Sequence, residues 1–287
     1  MTRTRTLWAW PVLLLLAPLA AAGQDQKQTL PYYLQDRGTG VPSSIFGTYI
    51  RGGELVLYPF AEYYHDDDLE YSPEEFGFDD LTDYRARYRA YEGLFFLGYG
   101  ITDDLAFEFE AAAIDAEFTK SRDDTSDVPS FLEESGLGDV EAQLRWRWKR
   151  ENETRPELFS YFEVVFPHSE DKVLIGTPGW QFKFGTGLVR GFRWGTLTAR
   201  VAVEYDEASS SSFDLGEYAV EYLKRVSPAL RFFVALEGSS DELSLITEVQ
   251  WFATSNIIFK ANSGIGLTSK ATDWAPEAGV MFLLPTR

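Results

Sequence analysis

The sequence predicts an all-β fold: a transmembrane antiparallel up-and-down β-barrel of about twelve strands. Three observations carry that expectation. Between Asp139 and Lys149 polar and apolar residues alternate strictly. Side chains at every second strand position share a face, so Val140, Ala142, Leu144, Trp146 and Trp148 form one face. Asp139, Glu141, Gln143, Arg145, Arg147 and Lys149 form the other. The same pattern recurs along the chain behind an N-terminal segment that reads as an export signal. The connections between strands also alternate between short and long, as in bacterial outer-membrane proteins.

The first element is the signal itself. Arg3 and Arg5 precede an apolar run from Leu7 to Ala22 that ends in the small residues Ala20-Ala21-Ala22-Gly23. That order defines a secretory signal peptide over 1–23, with cleavage expected after Ala22 or Gly23. A spanning helix needs roughly 20 apolar residues, and no later stretch qualifies: the run Leu94 to Leu97 is far too short. A closed barrel is the remaining way to satisfy every backbone group in lipid. Residues 24–43, rich in Gln, Pro and Gly, read as a flexible periplasmic lead-in or a small lumen insert. The outer-membrane barrel is assigned to 44–287.

Strands are expected near 54–64, 84–99, 105–114, 138–149, 157–166, 180–190, 196–205, 216–226, 229–237, 242–252, 257–267 and 276–284. Most match the roughly 9–11 residues of a tilted spanning strand. The third sets Leu105, Phe107, Phe109 and Ala111 against Glu108 and Glu110. The seventh sets Leu197, Ala199, Val201 and Val203 against Arg200 and Glu204, and the tenth sets Leu245, Val249 and Trp251 against Glu248 and Gln250. Short connections fall at 100–104, 150–156, 191–195, 227–228 and 253–256. The long ones are 65–83, 115–137 and 167–179. Twelve strands place both chain ends in the periplasm. Trp146, Trp148, Trp180, Tyr205, Tyr218, Tyr222 and Trp251 fall on outward faces near strand ends, where aromatic rings sit at headgroup level.

Composition narrows the function classes. There are 45 acidic residues against 26 basic ones, for a formal charge of −19. That sign disfavours nucleic-acid binding. Cysteine is absent, which excludes disulfides and thiolate chemistry. Only two histidines exist, His65 and His168. A barrel lipid hydrolase would need a His and a Ser on one face near the rim. His168 precedes Ser169 directly, and adjacent strand positions face opposite ways. No enzyme, no cofactor and no metal is expected. Gly136-Leu137-Gly138 and Gly264-Ile265-Gly266 lack the helix and third glycine of a phosphate loop, and ease strand curvature instead.

Several segments form a pattern of their own: Gly98-Tyr99-Gly100-Ile101-Thr102-Asp103-Asp104-Leu105, then Ser135-Gly136-Leu137-Gly138-Asp139-Val140 with Leu144 and Trp146, then Gly264-Ile265-Gly266-Leu267-Thr268, then Ala278-Gly279-Val280-Met281-Phe282. In this order they resemble the MetA-pathway phenol-degradation family of outer-membrane barrel transporters, across roughly 85 to 284. The resemblance implies a barrel of about twelve strands and passage of small aromatic or apolar compounds. It brings no site residues. One departure is the end of the chain, Phe282-Leu-Leu-Pro-Thr-Arg287. Many outer-membrane chains close on an aromatic that the assembly machinery reads, so Phe282 would serve from five positions inside.

The candidate site is the inward face: Arg85, Arg87, Arg89, Glu108, Glu110, Glu141, Arg145, Arg147, Glu163, Lys183, Arg200, Glu204, Arg231 and Glu248. A basic ladder beside an acidic one sets up a transverse field that selects solutes by charge. The alternative is that these residues pair across strands and fill a narrow barrel. Acidic clusters at Asp66-Asp67-Asp68, at Asp79-Asp80 with Asp83, and at Asp123-Asp124 with Asp127 read as solvated loops, although hard cations take such ligands. The expected function is a passive channel or uptake protein for small molecules, against a non-conducting structural or surface barrel. Its expected partners are outer-membrane lipids and lipopolysaccharide, the assembly machinery and an unknown solute.

Overall fold

The computed structural model describes residues 30–167, 172–208 and 213–286. The signal peptide expected over 1–23 lies outside them. A short 3-10 turn at Tyr32–Leu34 comes first, followed by a small hairpin of β1 (Val41–Pro42) and β2 (Tyr49–Ile50). The wall then runs through β3 (Glu54–Tyr71), β4 (Tyr84–Thr102), β5 (Leu105–Lys120), β6 (Phe131–Lys149), β7 (Glu157–Phe166) and β8 (Gln181–Phe192). It continues through β9 (Gly195–Asp206), β10 (Phe213–Ser227), β11 (Leu230–Gly238), β12 (Leu243–Phe252), β13 (Ile257–Gly266) and β14 (Trp274–Pro285). Each strand pairs antiparallel with the next, and β14 returns to β3 from Pro285↔Glu54 to Trp274↔His65. The twelve-strand closed barrel expected from alternation is therefore present.

Its first four strands outrun the expected bounds. β4 and β6 have 19 residues each and β3 has 18, whereas β7, β12 and β13 have 10. At about 3.3 Å per residue these strands stand well above any bilayer. A backbone ladder needs no apolar face, and here it continues through polar pairs such as Arg85↔Glu70 and Arg89↔Glu117. Alternation stops at the water line, but hydrogen bonding does not.

The faces divide as lipid and lumen require. Phe107, Leu144 and Val201 are 37–45% exposed on the outside, while Glu108 and Arg145 behind them are 2% exposed. Trp148, Trp194, Tyr222 and Trp251 ring the short-turn end, and Trp180, Tyr205, Tyr91 and Trp274 ring the other. Adjacent rings in these belts stack, with Trp251 and Phe259 at 5.2 Å and Phe192 and Trp194 at 4.8 Å. Amphipathic rings at both interfaces mark the hydrocarbon band between them.

Residues 30–53 fill the short-turn end of the lumen. Val41 and Ile50 are fully buried against Val56, Tyr58, Phe96, Ala106, Ile258 and Met281. Arg37 reaches Glu157, Ser44 reaches Glu108, and the Phe46 carbonyl accepts from Gln250 and Lys260. Those partners lie on β7, β5, β12 and β13, on opposite sides of the wall, so the segment between them is inside. Residues 44–53, grouped with the barrel domain, pack inside it as part of this insert, and the wall begins at Glu54, where the first strand was expected. The described part of 24–43 also packs in the lumen. Gly47, at φ +59, makes the hairpin turn where a Cβ would meet Gln250 and Leu223.

Candidate functional site

The lumen has three levels. At the short-turn end, buried Arg37 bridges Glu151 at 2.9 Å and Glu157 at 3.2 Å, and Glu157 also takes Arg147 at 3.1 Å. Asp36 accepts from Lys224 at 3.3 Å and from the Arg225 N–H at 2.9 Å. Charged partners on both sides offset part of the cost of burying these groups, although Arg37 Nε and Glu157 Oε1 are buried without a hydrogen-bond partner.

At mid-height the wall is tied by cross-strand pairs. Lys183 contacts Glu163 at 3.0 Å and Glu204 at 3.7 Å. Arg200 meets Glu217, Glu221 and Glu237, the last two at 2.7 and 2.6 Å. Arg145 lies 3.4 Å from Glu108, and Lys260 lies 3.2 Å from Glu248. Against this paired side stands an acidic one. Glu62, Glu92, Glu110, Glu141 and Glu277 project inward from β3, β4, β5, β6 and β14, and line two adjoining cavities of about 390 and 410 Å³. Both cavities share Tyr64, Leu94, Glu110 and Glu141.

A folded-in loop roofs the acidic side. Ile175 is 3% exposed and packs on Ala90 and Ala116, with Tyr64, Tyr88 and Ile114 around it. The Glu134 carboxylate accepts the Val173 and Leu174 N–H groups, and Asp139 accepts from the Thr177 N–H and hydroxyl at 2.8 Å each. Gly136, at φ +144, pairs with Ile114, and the register of β6 on β5 shifts just beyond it, between Ala113↔Leu137 and Ala111↔Val140. That shift carries the strand from Glu134 to Asp139, both of which hold the loop.

Of the fourteen residues expected to line the lumen, Glu108, Glu110, Glu141, Arg145, Arg147, Glu163, Lys183, Arg200, Glu204, Arg231 and Glu248 share faces with the buried inner wall. Arg85, Arg87 and Arg89 do not, and their assignment is corrected. On β4 the inward positions are Ala86, Ala90, Glu92, Leu94 and Phe96, so the three arginines share the outer face with Tyr91 and Phe95. They are 41–55% exposed and pair with Asp67, Asp68 and Glu70. These arginines lie beyond the apolar belt, where an outward charge faces water and is not costly. The basic ladder expected beside Glu108 and Glu110 is therefore absent from the lumen.

Sequence reasoning missed Glu62, Glu92 and Glu277. Glu62 follows Val56, Tyr58 and Phe60 on the inner face, where the insert rather than lipid covers apolar groups. Reading β4 from Phe95 and Tyr91 back to Arg89 would have placed Glu92 inward.

Other candidates have ordinary roles. His65 bonds Tyr63 at 3.4 Å and Asp67 at 3.2 Å, with no serine among these partners. His168 and Ser169 lie outside the described residues. Asp80 accepts from the Thr82 N–H, which holds its carboxyl below the usual carboxylate range. Asp124 accepts from Tyr71 and pairs with Lys120 at 3.1 Å. Among the described residues no group of three or more His, Asp or Glu side chains is placed to hold a metal ion.

No family model and no curated protein sequence matches the chain. Solved structures do. An outer membrane channel from Pseudomonas putida F1 aligns with a TM-score of 0.59 at 14% identity, covering 85% of this chain and 99% of that one. The translocator domain of the autotransporter NalP from Neisseria meningitidis aligns with a TM-score of 0.50 at 8% identity, over 80% and 88%. The toluene transporter TbuX of Ralstonia pickettii gives a TM-score of 0.44 at 10% identity, over 91% and 100%. At such identities the likeness is one of fold. The chain is an outer-membrane β-barrel.

Proposed function

We propose that the barrel is a passive, non-enzymatic uptake channel for small molecules. One observation carries the reading: between the insert and the folded-in loop the lumen keeps adjoining cavities of about 390 and 410 Å³. A barrel packed solely for stability would fill that space with side chains. Ligand sites range over roughly 300–1,000 Å³ and combine apolar walls with a few polar groups. Phe46, Phe60, Leu94 and Ile246 beside Glu110 and Glu141 meet that description. Likeness in fold to the Pseudomonas channel and the resemblance of the ordered glycine segments to the phenol-degradation family support transport. Small aromatic or apolar compounds are the proposed solutes by that analogy alone. Outer-membrane lipids, lipopolysaccharide and the assembly machinery are its proposed partners.

A sealed structural barrel is the second reading, favoured by the insert and its buried ion pairs. Single-channel recording in planar bilayers separates the two. Stepwise conductance from heat-shiftable, folded protein is expected. Its absence from such protein would end the channel reading.

A further inference from the structure

We infer that the mid-lumen chamber recognises small organic cations, an amine carried on an aromatic or branched apolar body. The inference rests on the channel reading and names its solute class. Glu110 lies directly opposite Glu141 across β5 and β6, and Glu62 lies opposite Glu92 on one side and Glu277 on the other. Like charges directly opposite destabilise a sheet, so the wall carries an arrangement that a guest cation would relieve. Glu110 and Glu141 open into both cavities, are largely enclosed by protein, and accept no hydrogen bond or ion pair among the described residues.

The protein's own cations are engaged elsewhere. Lys260, the one lysine lining the larger cavity, is held by Glu248 at 3.2 Å and the Phe46 carbonyl at 2.9 Å. Lys183 is held by Glu163 and Glu204. Neither lysine makes a direct contact with Glu110 or Glu141.

The remaining lining decides which cation fits. Phe60, Tyr64, Leu94 and Ile246 supply an apolar and aromatic wall, and aromatic faces attract ammonium groups. The carboxylates are spread around the wall, and among the described residues none converge as metal ligands. A bare divalent ion would find no coordination shell, whereas an ammonium needs only one or two carboxylates and its carbon frame uses the aromatic wall.

The test titrates benzylamine, benzyl alcohol and benzoate into the folded barrel in detergent by calorimetry. Parent and E110Q/E141Q proteins are compared, each first shown to be folded by its heat-dependent gel shift. Benzylamine is expected to bind at least tenfold tighter than benzyl alcohol, benzoate weakest, with the ratio collapsing towards one in the variant. If E110Q/E141Q does not fold, E62Q/E277Q takes its place with the same expectation. Equal affinity for amine and alcohol, a ratio unchanged by the substitutions, or magnesium displacing benzylamine would each overturn the inference. Bilayer recording of the same samples keeps the two readings apart. Amine preference without conductance defeats only the channel, and conductance without amine preference defeats only the cation chamber.

Discussion

Replacing Arg37 with methionine should release the N-terminal insert from the lumen wall. The guanidinium bonds Glu151 at 2.9 Å and Glu157 at 3.2 Å, with all three side chains 0–1% exposed. Removing one partner of a buried ion pair typically costs about 3–5 kcal/mol, because the other is left buried and charged. Here the lower end applies. Glu157 keeps Arg147 at 3.1 Å, and Glu151 keeps Arg190 at 3.3 Å and the Gly191 N–H at 2.9 Å. About 3 kcal/mol corresponds to roughly a hundredfold rise in the population with the insert out. The chain has no cysteine, so a single Ser43→Cys reporter, 7% exposed in the insert, reads that population directly. Its labelling by a membrane-impermeant maleimide should accelerate about a hundredfold in R37M when reclosing outpaces labelling. R85M, which removes an exposed arginine from the outer face, should leave the rate unchanged. An R37M rate within threefold of the parent would refute the claim that this ion pair pins the insert.

Three further outcomes follow from the same geometry. V201R places a charge on the lipid face at the middle of β9 and should cost about 2–4 kcal/mol in urea unfolding from liposomes; an unchanged midpoint would contradict the assignment of that face. G191A puts a methyl group into the Tyr33 carbonyl and should cost about 1–3 kcal/mol, faster Ser43→Cys labelling being the readout. D104N tests the turn between β4 and β5. Hydrogen bonds from Arg150, then Arg147, hold the Asp104 carboxyl below its usual range. A depressed folded value adds stability above the unfolded value of about 4 and loses it as pH falls through the folded one. Parent and D104N urea midpoints should therefore converge in acid. With Asp104 44% exposed, the neutral-pH gap should stay within about 1 kcal/mol, and a gap that widens in acid would refute the reasoning.

Strand number and most facing were legible because lipid imposes one simple rule on every spanning strand. The rule holds only where lipid is present. On β4 Arg85, Arg87 and Arg89 share the outer face with Tyr91 and Phe95, and they were assigned inward because charge was taken as a mark of the lumen, although above the bilayer outward charge is unpenalised. The insert was only one of two readings of 24–43, for another reason. Arg37 and Glu157 are 120 residues apart, and nothing near either one signals the pairing. A Gly- and Pro-bearing segment has no period to read, and its conformation is set by the wall around it. The acidic chamber was half visible: Glu110 and Glu141 follow from alternation, but their juxtaposition with Glu62 and Glu277 needs the register at which β14 closes on β3.

The insert also has consequences for how the cylinder reaches its size. Tyr33 meets β8, Asp36 meets β10, Arg37 meets β7 and β11, and Pro42 and Ser44 meet β6 and β5. Phe46 reaches β12 and β13, Thr48 reaches β14, the Tyr49 hydroxyl reaches Thr198 on β9, and Ile50 and Arg51 reach β4 and β3. Every stave is gauged from one central mandrel. A wall with one hairpin more or fewer would pull these contacts out of reach, so circumference is specified from inside as well as by neighbour-to-neighbour pairing.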